Sequence, residues 1–435
     1  MKADLNITFY KEERFKEETL IGKIPEDWRV IRINELFSMY KGTTPSTRVK
    51  EFWSGNIPFV TPTDITRIIS LNRMYLETTE NYITRKGLES KGLKLVPENS
   101  LLFTSRATIG YLAINKVKVA INQGIISLIP KDICMVEVVF FYYFLQKLKN
   151  LLENLAGGST YKEISMSTFS NIGVPLPPLE EQKAIAHILS TVDEAIQKTN
   201  EIIEKTKRLK KGLMQELLTK GIGHKEFKDT EIGRIPKEWE VVRLRDLVKR
   251  FVSGGTPSTK EPRFWNGDIP WITSAHITKW YVDSGERYIT KEGLERSATN
   301  IVPKGNVIVA TRVGIGKSAF NLIDIAINQD LTGLIIDKHK VNAEFLVWYL
   351  ISPRVIRILL SFTRGTTIKG ISRRDLERLK VPLPSLSEQQ KIAKILSTVD
   401  KRLEIERKRK EKLERIKKAL MDLLLTGKIR IKVKT

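Results

Sequence analysis

The sequence has a single cysteine, Cys134, among 435 residues. Neither an internal disulfide framework nor a thiolate zinc site can be built from it, which suits a reducing compartment. Histidine is scarce too: His187, His224, His276 and His339 do not stand at the spacing of an HExxH helix or a related ligand set. Long apolar runs are missing, the longest stretch, at residues 136–145, being about half of what a membrane span requires. The first twenty residues are charged and lack the apolar segment of a secretory leader. The expectation is a soluble, cytoplasmic protein with no membrane partner, no metal and no cofactor of its own.

Acidic charge is the next shortage. Lys and Arg number 74 against 50 Asp and Glu, a net charge of +24. The excess is spread over both halves of the chain rather than gathered in a tail. Such a field favours polyanions, chiefly nucleic acid or an anionic membrane surface, and says nothing about fold. A hydrophobic content of 41% is enough for ordinary globular cores.

What the chain does have is a long internal repeat. IGKIPEDWRVIRINELF, from Ile21, returns as IGRIPKEWEVVRLRDLV from Ile232, and VPLPPLEEQKAIAHILSTVDEAI, from Val174, returns as VPLPSLSEQQKIAKILSTVDKRL from Val381. A period of roughly 207 residues far exceeds the roughly 20 to 50 of solenoids and propellers. It marks a duplicated module with a core of its own. Each copy opens with a mixed region of about 150 residues, in which short β-branched runs broken by Gly, Pro and Asn give way to an amphipathic helix predicted near residues 136–152 and 343–360. The class is α+β.

A Pro-rich hinge, VPLPPL or VPLPSL, then leads into a long helix. Ser387 followed by Gln390 fits a capping box in the second copy, with Glu180 in that place in the first. Apolar residues recur at three and four spacing, at Ile185, Leu189, Val192, Ile196, Ile203, Leu209, Leu213 and Leu217, and at Ile392, Leu396, Val399, Leu403, Leu413, Ile416, Leu420 and Leu423. Each helix is about 60 Å long at 1.5 Å per residue, too long a stripe for one small domain to cover. The expectation is an antiparallel coiled-coil pair, a pseudo-two-fold rod with the two modules at its ends. Thr199, Thr206, Glu406 and Lys410 interrupt its seam.

Catalytic signatures fail on inspection. RVGIGKSA at Arg312 lacks the first Gly of a phosphate loop, since Thr311 stands there, and the first copy supplies Tyr111 and Leu112 where Lys and Ser would be needed. These glycines fit a tight turn after a strand. The pairs Phe52–Trp53 and Phe264–Trp265 fit core positions better than base stacking.

The informative polar positions lie on loops that both copies share. They are Lys41, Thr43, Thr44 and Ser46 against Thr256, Ser258 and Thr259; Ser105, Arg106 and Thr108 against Thr311, Arg312 and Lys317; Asn122 and Gln123 against Asn328 and Gln329; and Ser159, Thr160 and Lys162 against Thr366, Thr367 and Lys369. Hydroxyls and amides beside glycine grip phosphate oxygens, and an Arg fork suits phosphate or guanine. Each set also suits plain turn-building. Where the copies differ, sequence readers are expected: Thr63, Asp64 and Arg67 against Ala275, His276 and Lys279, Ser105 and Thr108 against Thr311 and Gly314, and Tyr161 against Ile368, with Ser274 a further DNA-binding candidate.

This combination resembles the specificity subunit of type I restriction-modification systems, over essentially the whole chain. The resemblance implies an N-terminal extension at 1–20, target recognition domains at 21–178 and 223–385, spacer helices at 179–222 and 386–427, and a basic tail at 428–435. It implies a non-catalytic chain that binds a bipartite, asymmetric double-stranded DNA target, one half-site per domain. It implies as partners two modification subunits, which use S-adenosylmethionine to methylate adenine, and restriction subunits, which use ATP and magnesium. The alternatives are a basic RNA- or DNA-binding scaffold without sequence preference, and a duplicated enzyme.

Overall fold

The computed structural model describes residues 7–19, 22–157, 162–363 and 370–433. The chain divides into two units, Met1–Ile202 with Glu406–Thr435, and Ile203–Ile405. In the first, a five-stranded sheet runs in the order Phe37–Lys41, Ile125–Pro130, Leu101–Thr104, Leu112–Asn115, Tyr75–Leu76. The second repeats that order with Val248–Ser253, Leu331–Ile336, Val307–Ala310, Ser318–Asn321 and Tyr281–Val282. Neighbours are antiparallel except the last pair, which is parallel in both units.

The central strands are buried on both faces, and period-two alternation sorts their side chains into two cores. Leu101, Phe103, Leu112 and Ile114 join an aromatic helix, Val138–Lys147, while Leu102 and Ala113 face Val60, Ile65 and Ile121. Val307 and Val309 against Ile308 and Ala310 divide the second unit in the same way. A smaller sheet centred on Trp53–Val60 has three strands in the first unit; its counterpart, containing Trp265–Ile272, gains a fourth, Asn300–Val302.

Two helix expectations need correcting. The amphipathic helix of each copy is two helices, Val138–Lys147 with Lys149–Leu155, and Ala343–Leu350 with Pro353–Ser361. Ser352 caps the second member and Pro353 opens it, whereas Leu148 breaks the first copy at ψ near 0°. The first member is not amphipathic: every residue from Phe140 to Leu145 is buried. The long helices are Leu179–Leu217 and Leu386–Leu424. The second starts one residue before Ser387, and Ser385 rather than Ser387 caps it, its hydroxyl accepting from the Glu388 amide at 3.3 Å. In the first, the carbonyl of Pro178 accepts from the Gln182 amide, so Glu180 is not the cap.

The hinge is stitched identically in both units by a fully buried glutamine. Gln182 donates to the carbonyls of Pro177 and Met135 and accepts from the Glu137 amide. Gln389 does the same with Pro384, Lys340 and Asn342. Each hinge strand, Gly173–Leu176 or Lys380–Leu383, pairs with the strand that opens its own module, Arg29–Arg32 or Glu240–Arg243.

Within each unit, half of one long helix packs antiparallel on half of the other. Asp193 meets Lys417 at 2.7 Å in the first unit, and Asp400 meets Lys210 at 2.5 Å in the second, the same two positions with helices exchanged. Tyr143 donates to Asp193 at 2.7 Å, and burial pushes its hydroxyl pKa up, which keeps the proton in place. Ile185, Leu189, Ile392 and Leu396 serve the globular cores, while Ile196, Ile203 and Leu403 are buried further along. Leu209, Ile416 and Leu423 lie outward at 55%, 39% and 38% exposure. A strict 3-4 repeat from Ile203 falls on Thr206, Lys210, Leu213 and Leu217, so Leu209 is out of phase. Thr199 is buried in the seam and returns its hydroxyl to the Ala195 carbonyl at 2.7 Å.

The chain ends find a place that the sequence did not indicate. Ile7–Lys11 pairs antiparallel with Ile429–Val433, joining the N-terminal extension to the basic tail. Arg430, from the tail, is buried against Glu181 at the start of the first long helix, with Nε–Oε1 2.8 Å and Nη2–Oε2 2.9 Å, and its fork also reaches Asp27 and Glu12. Glu181 accepts further from the Trp28 indole at 3.3 Å and the Ile431 amide at 3.1 Å. In the second unit Glu388 takes the Trp239 indole at 3.0 Å, the Ile222 amide at 2.8 Å and His224 at 2.9 Å. Gly221 and Gly427, both at φ +67°, turn the chain out of each long helix toward these carboxylates; a side chain at either would collide with Trp239 or with Pro25 and Trp28.

Removing one partner of a buried ion pair leaves an uncompensated charge, at a cost of roughly 3–5 kcal/mol. Arg430→Ala should therefore lower the denaturation midpoint of the full chain far more than Lys417→Ala, whose partner Asp193 keeps its tyrosine hydrogen bond. Hydrogen bonding from Arg430 holds the Asp27 carboxyl below its ordinary range, and the Arg14 amide, followed by burial against it and Arg430 with it, leaves Glu12 low as well. A depressed carboxylate stabilises fully above its unfolded pKa, so this contribution should persist above about pH 4.5 and fade as pH drops below about 4, a slope that Arg430→Ala should flatten in acid titrations followed by circular dichroism.

Candidate nucleic-acid interface

In the first unit four loops meet at one rim of the five-stranded sheet, where strands end in glycine or small polar residues. Gly42 follows the strand Phe37–Lys41 and lies so close to Ile121 that a Cβ would strike its carbonyl. This places residues 43–46 beside residues 122–124, where the Thr44 hydroxyl donates to Gln123. Ser105 donates from its amide to the Gly124 carbonyl at 2.9 Å and accepts from the Ile164 amide at 3.0 Å, so residues 105–108 and 162–164 join the same cluster. Lys41 pairs with Glu163 there. Arg106, Thr108, Gln123 and Lys162 are exposed, whereas Ser105 is fully buried.

The second unit builds the same rim. Gly254 packs against the Asn328 carbonyl, and Thr256 donates to Gln329 at 2.5 Å. The amides of Thr311 and Arg312 donate to the Asp330 carbonyl, and the Ile371 amide donates to Thr311 at 2.7 Å. The TPST loops are anchored identically, since the carbonyls of Ser46 and Ser258 accept the indoles of Trp53 and Trp265, each at 3.1 Å. Trp265 and Phe264 are buried as core residues, Trp53 and Phe52 partly so. Thr256, Ser258, Thr259, Arg312 and Gln329 are exposed. Thr311 and Asn328 are buried and Thr43 is half-buried. Asn122 and Asn328 close their own turns by accepting from the amides of Gly124 and Asp330.

Residues 312–317 form a turn between the antiparallel strands Val307–Ala310 and Ser318–Asn321, with Gly314 at φ +78° and Gly316 at φ +95°. A phosphate loop would lead from strand to helix, so this turn is not one. Lys317 from it donates to the Ser274 carbonyl at 3.0 Å.

The differing positions divide. Thr63 is exposed in the first turn of Pro62–Ser70, but Asp64 is fully buried, accepting from the Thr61 amide and hydroxyl at 2.9 and 2.7 Å and from the Glu80 amide at 2.9 Å. Arg67 lies against Asp64 and Glu80 at 3.6 and 3.5 Å. Ser274 is buried and His276 partly buried. Lys279 is drawn to the second long helix, where Glu404 at 2.9 Å and the Tyr281 hydroxyl hold its ammonium pKa above the usual lysine range. Ser159, Thr160, Tyr161, Thr366, Thr367, Ile368 and Lys369 lie outside the described residues. Sequence reasoning passed over two carboxylates at the rim, Glu163 and Asp330; the signal was a charge present in one copy and absent from the other, opposite Gly370 and Gly124 respectively.

Comparison with known proteins points one way. The family model described as type I restriction modification DNA specificity domain matches residues 25–208 and again 236–415. The MjaVIII type I restriction enzyme specificity subunit of Methanocaldococcus jannaschii is 34% identical over 98% of both chains, and the MjaIX specificity subunit of the same organism 30% identical over 98% of both. Among solved structures, the type I restriction-modification S subunit from M. genitalium superposes with a TM-score of 0.59 at 17% identity, covering 94% of this chain and 99% of that one. This last likeness concerns the fold.

Because Asp64 completes the capping box of its helix from a buried site, accepting from the Thr61 amide, Asp64→Ala should cost about 1–2 kcal/mol of stability, read as a lower melting temperature of the full chain. Thr63→Ala, at an exposed position beside it, should leave melting within about 0.5 kcal/mol of the parent.

Proposed function

The chain belongs to the type I restriction-modification DNA specificity family, and from that premise we propose that it binds a bipartite duplex with one half-site per unit. The observation that carries the proposal is that a single rim, with its Thr–Gln latch, its Trp-anchored TPST loop and its Arg, is built twice on sheets of identical strand order. Exposed hydroxyls, amides and guanidinium groups on Gly-bearing loops suit phosphates and base edges. Two rims that share a frame and differ in side chains suit two different short sequences.

The helical pair supplies the second part of the proposal. Each long helix has 39 residues, about 58 Å at 1.5 Å per residue, longer than the roughly 34 Å of one DNA turn. On this reading its length sets the number of base pairs left unread between half-sites, and it also docks two modification subunits. The reaction belongs to partners: adenine methylation with S-adenosylmethionine in the modification subunits, ATP- and magnesium-dependent translocation and cleavage in the restriction subunits. This chain directs them to a sequence.

Selection of random duplexes by the full chain with its modification subunits should return two short fixed blocks around a constant unread gap. Inserting matched heptads into both long helices should lengthen the gap and leave both blocks intact. A single block, or binding governed by salt alone, would support a scaffold without specificity.

A further inference from the structure

Each rim carries one carboxylate among its cations, and the two units carry it in different places. In the first unit it is Glu163, paired with Lys41; in the second it is Asp330, with Arg312 Nε 3.9 Å away and Asn328 Nδ2 donating at 3.0 Å. The positions are transposed on a common frame. By the alignment of the repeats, Glu163 corresponds to Gly370, Asp330 to Gly124 and Lys41 to Ser253, while Arg106 and Arg312 correspond to one another.

Holding the loops together does not require these pairs. Each unit lacks the other's pair, yet both keep the Thr–Gln latch, the indole–carbonyl anchor and the glycine–carbonyl contact. Phosphate binding does not call for them either, because an acid in a polyanion site is repulsive. A carboxylate at a DNA surface can accept from the exocyclic amino group of cytosine or adenine at a base edge. Both are within reach of solvent, at 30% and 16% side-chain exposure, and both sit beside a more exposed cation, Lys41 at 35% and Arg312 at 44%.

Resting on the DNA-specificity reading above, we propose that Glu163 and Asp330 are the base-reading carboxylates of their respective units, each accepting from a cytosine or adenine amino group in its own half-site. Moving the carboxylate from one loop to the other presents it at a different point of the duplex, and so lets one frame read two sequences. Lys41 and Arg312 lie beside the carboxylates and add charge toward the DNA backbone.

The test is selection from random duplexes by the full chain with its modification subunits, comparing the unaltered protein with Glu163→Gln, Asp330→Asn and Lys41→Gln. Glu163→Gln should relax or change the preference at one base of one block by roughly tenfold or more and leave the other block as it was; Asp330→Asn should do the reverse. Lys41→Gln should weaken binding to all sequences alike and reduce the salt slope by about one. The double variant Glu163→Gly with Gly124→Asp rebuilds the second unit's arrangement in the first, and should shift preference in the first unit's block alone. Equal melting temperatures establish that the variants fold. Weakened binding with both blocks unchanged in the glutamine, asparagine and transplanted variants would show that the carboxylates only restrain cations, and would overturn the proposal. An unaltered protein that selects no block would instead overturn the underlying reading, and the proposal with it.

Discussion

A carboxylate tied down by hydrogen bonds in the first turn of each long helix is the contact on which the rest of the molecule depends. Glu181 is taken out of water and Glu388 largely so, at 13% side-chain exposure, beside helix N-termini, where the helix dipole favours negative charge but does not by itself offset the loss of hydration. What offsets it is a complete set of donors. A tryptophan indole comes from the start of the same module, and a second side chain, Arg430 or His224, and a backbone amide come from the segment after the other long helix. One side chain thus joins the module's first strand, its Pro-rich hinge and the exit of the opposite helix. The following residue, Gln182 or Gln389, ties the hinge to the start of the aromatic helix. This explains why the EQ dipeptide and the W of PEDW and PKEW recur in both copies of the sequence.

The two joints use different means to the same end. Chain connectivity runs from the first long helix through Gly221 directly to His224, whereas from the second it runs through Gly427 into the strand Ile429–Val433. The molecule meets this difference by pairing its N-terminal strand with its C-terminal strand, so that Arg430 arrives at Glu181 as His224 arrives at Glu388. The N-terminal extension and basic tail therefore complete the first unit. With both joints closed, each rim rests on the same sheet order, and differences in loop side chains can serve recognition.

Much of this was legible in the sequence. The repeat gave two modules, β-branched runs gave their sheets, and three-and-four spacing gave the long helices. The twin FW pairs gave core anchors, and the interrupted phosphate-loop motif gave a hairpin turn. The errors have physical causes. Leu209, Ile416 and Leu423 are apolar and near the right spacing, but they fall off the 3-4 phase, and no local rule reports which side of a helix faces a partner. Ser387 sits two residues beyond the true cap because Ser385 fits equally well, and only the course of the backbone decides between them. Asp64 looked like a reader because it differs between copies. It differs because the first unit has a helix there, Pro62–Ser70, whose capping box needs a buried acid, while the second unit makes turns. Pairing of the chain ends brings together residues more than 400 positions apart, and no periodicity announces that.

The central claim is that two interchangeable frames, each closed by its glutamate joint, read sequence through loops of their own. The most direct test replaces residues 232–383 by residues 21–176, so that both frames carry the first unit's loops, and compares the duplexes selected by this chain and by its parent. The account predicts two blocks of the same sequence around the parental gap. Two blocks that still differ as they do in the parent would contradict it, because recognition would then reside outside the duplicated modules.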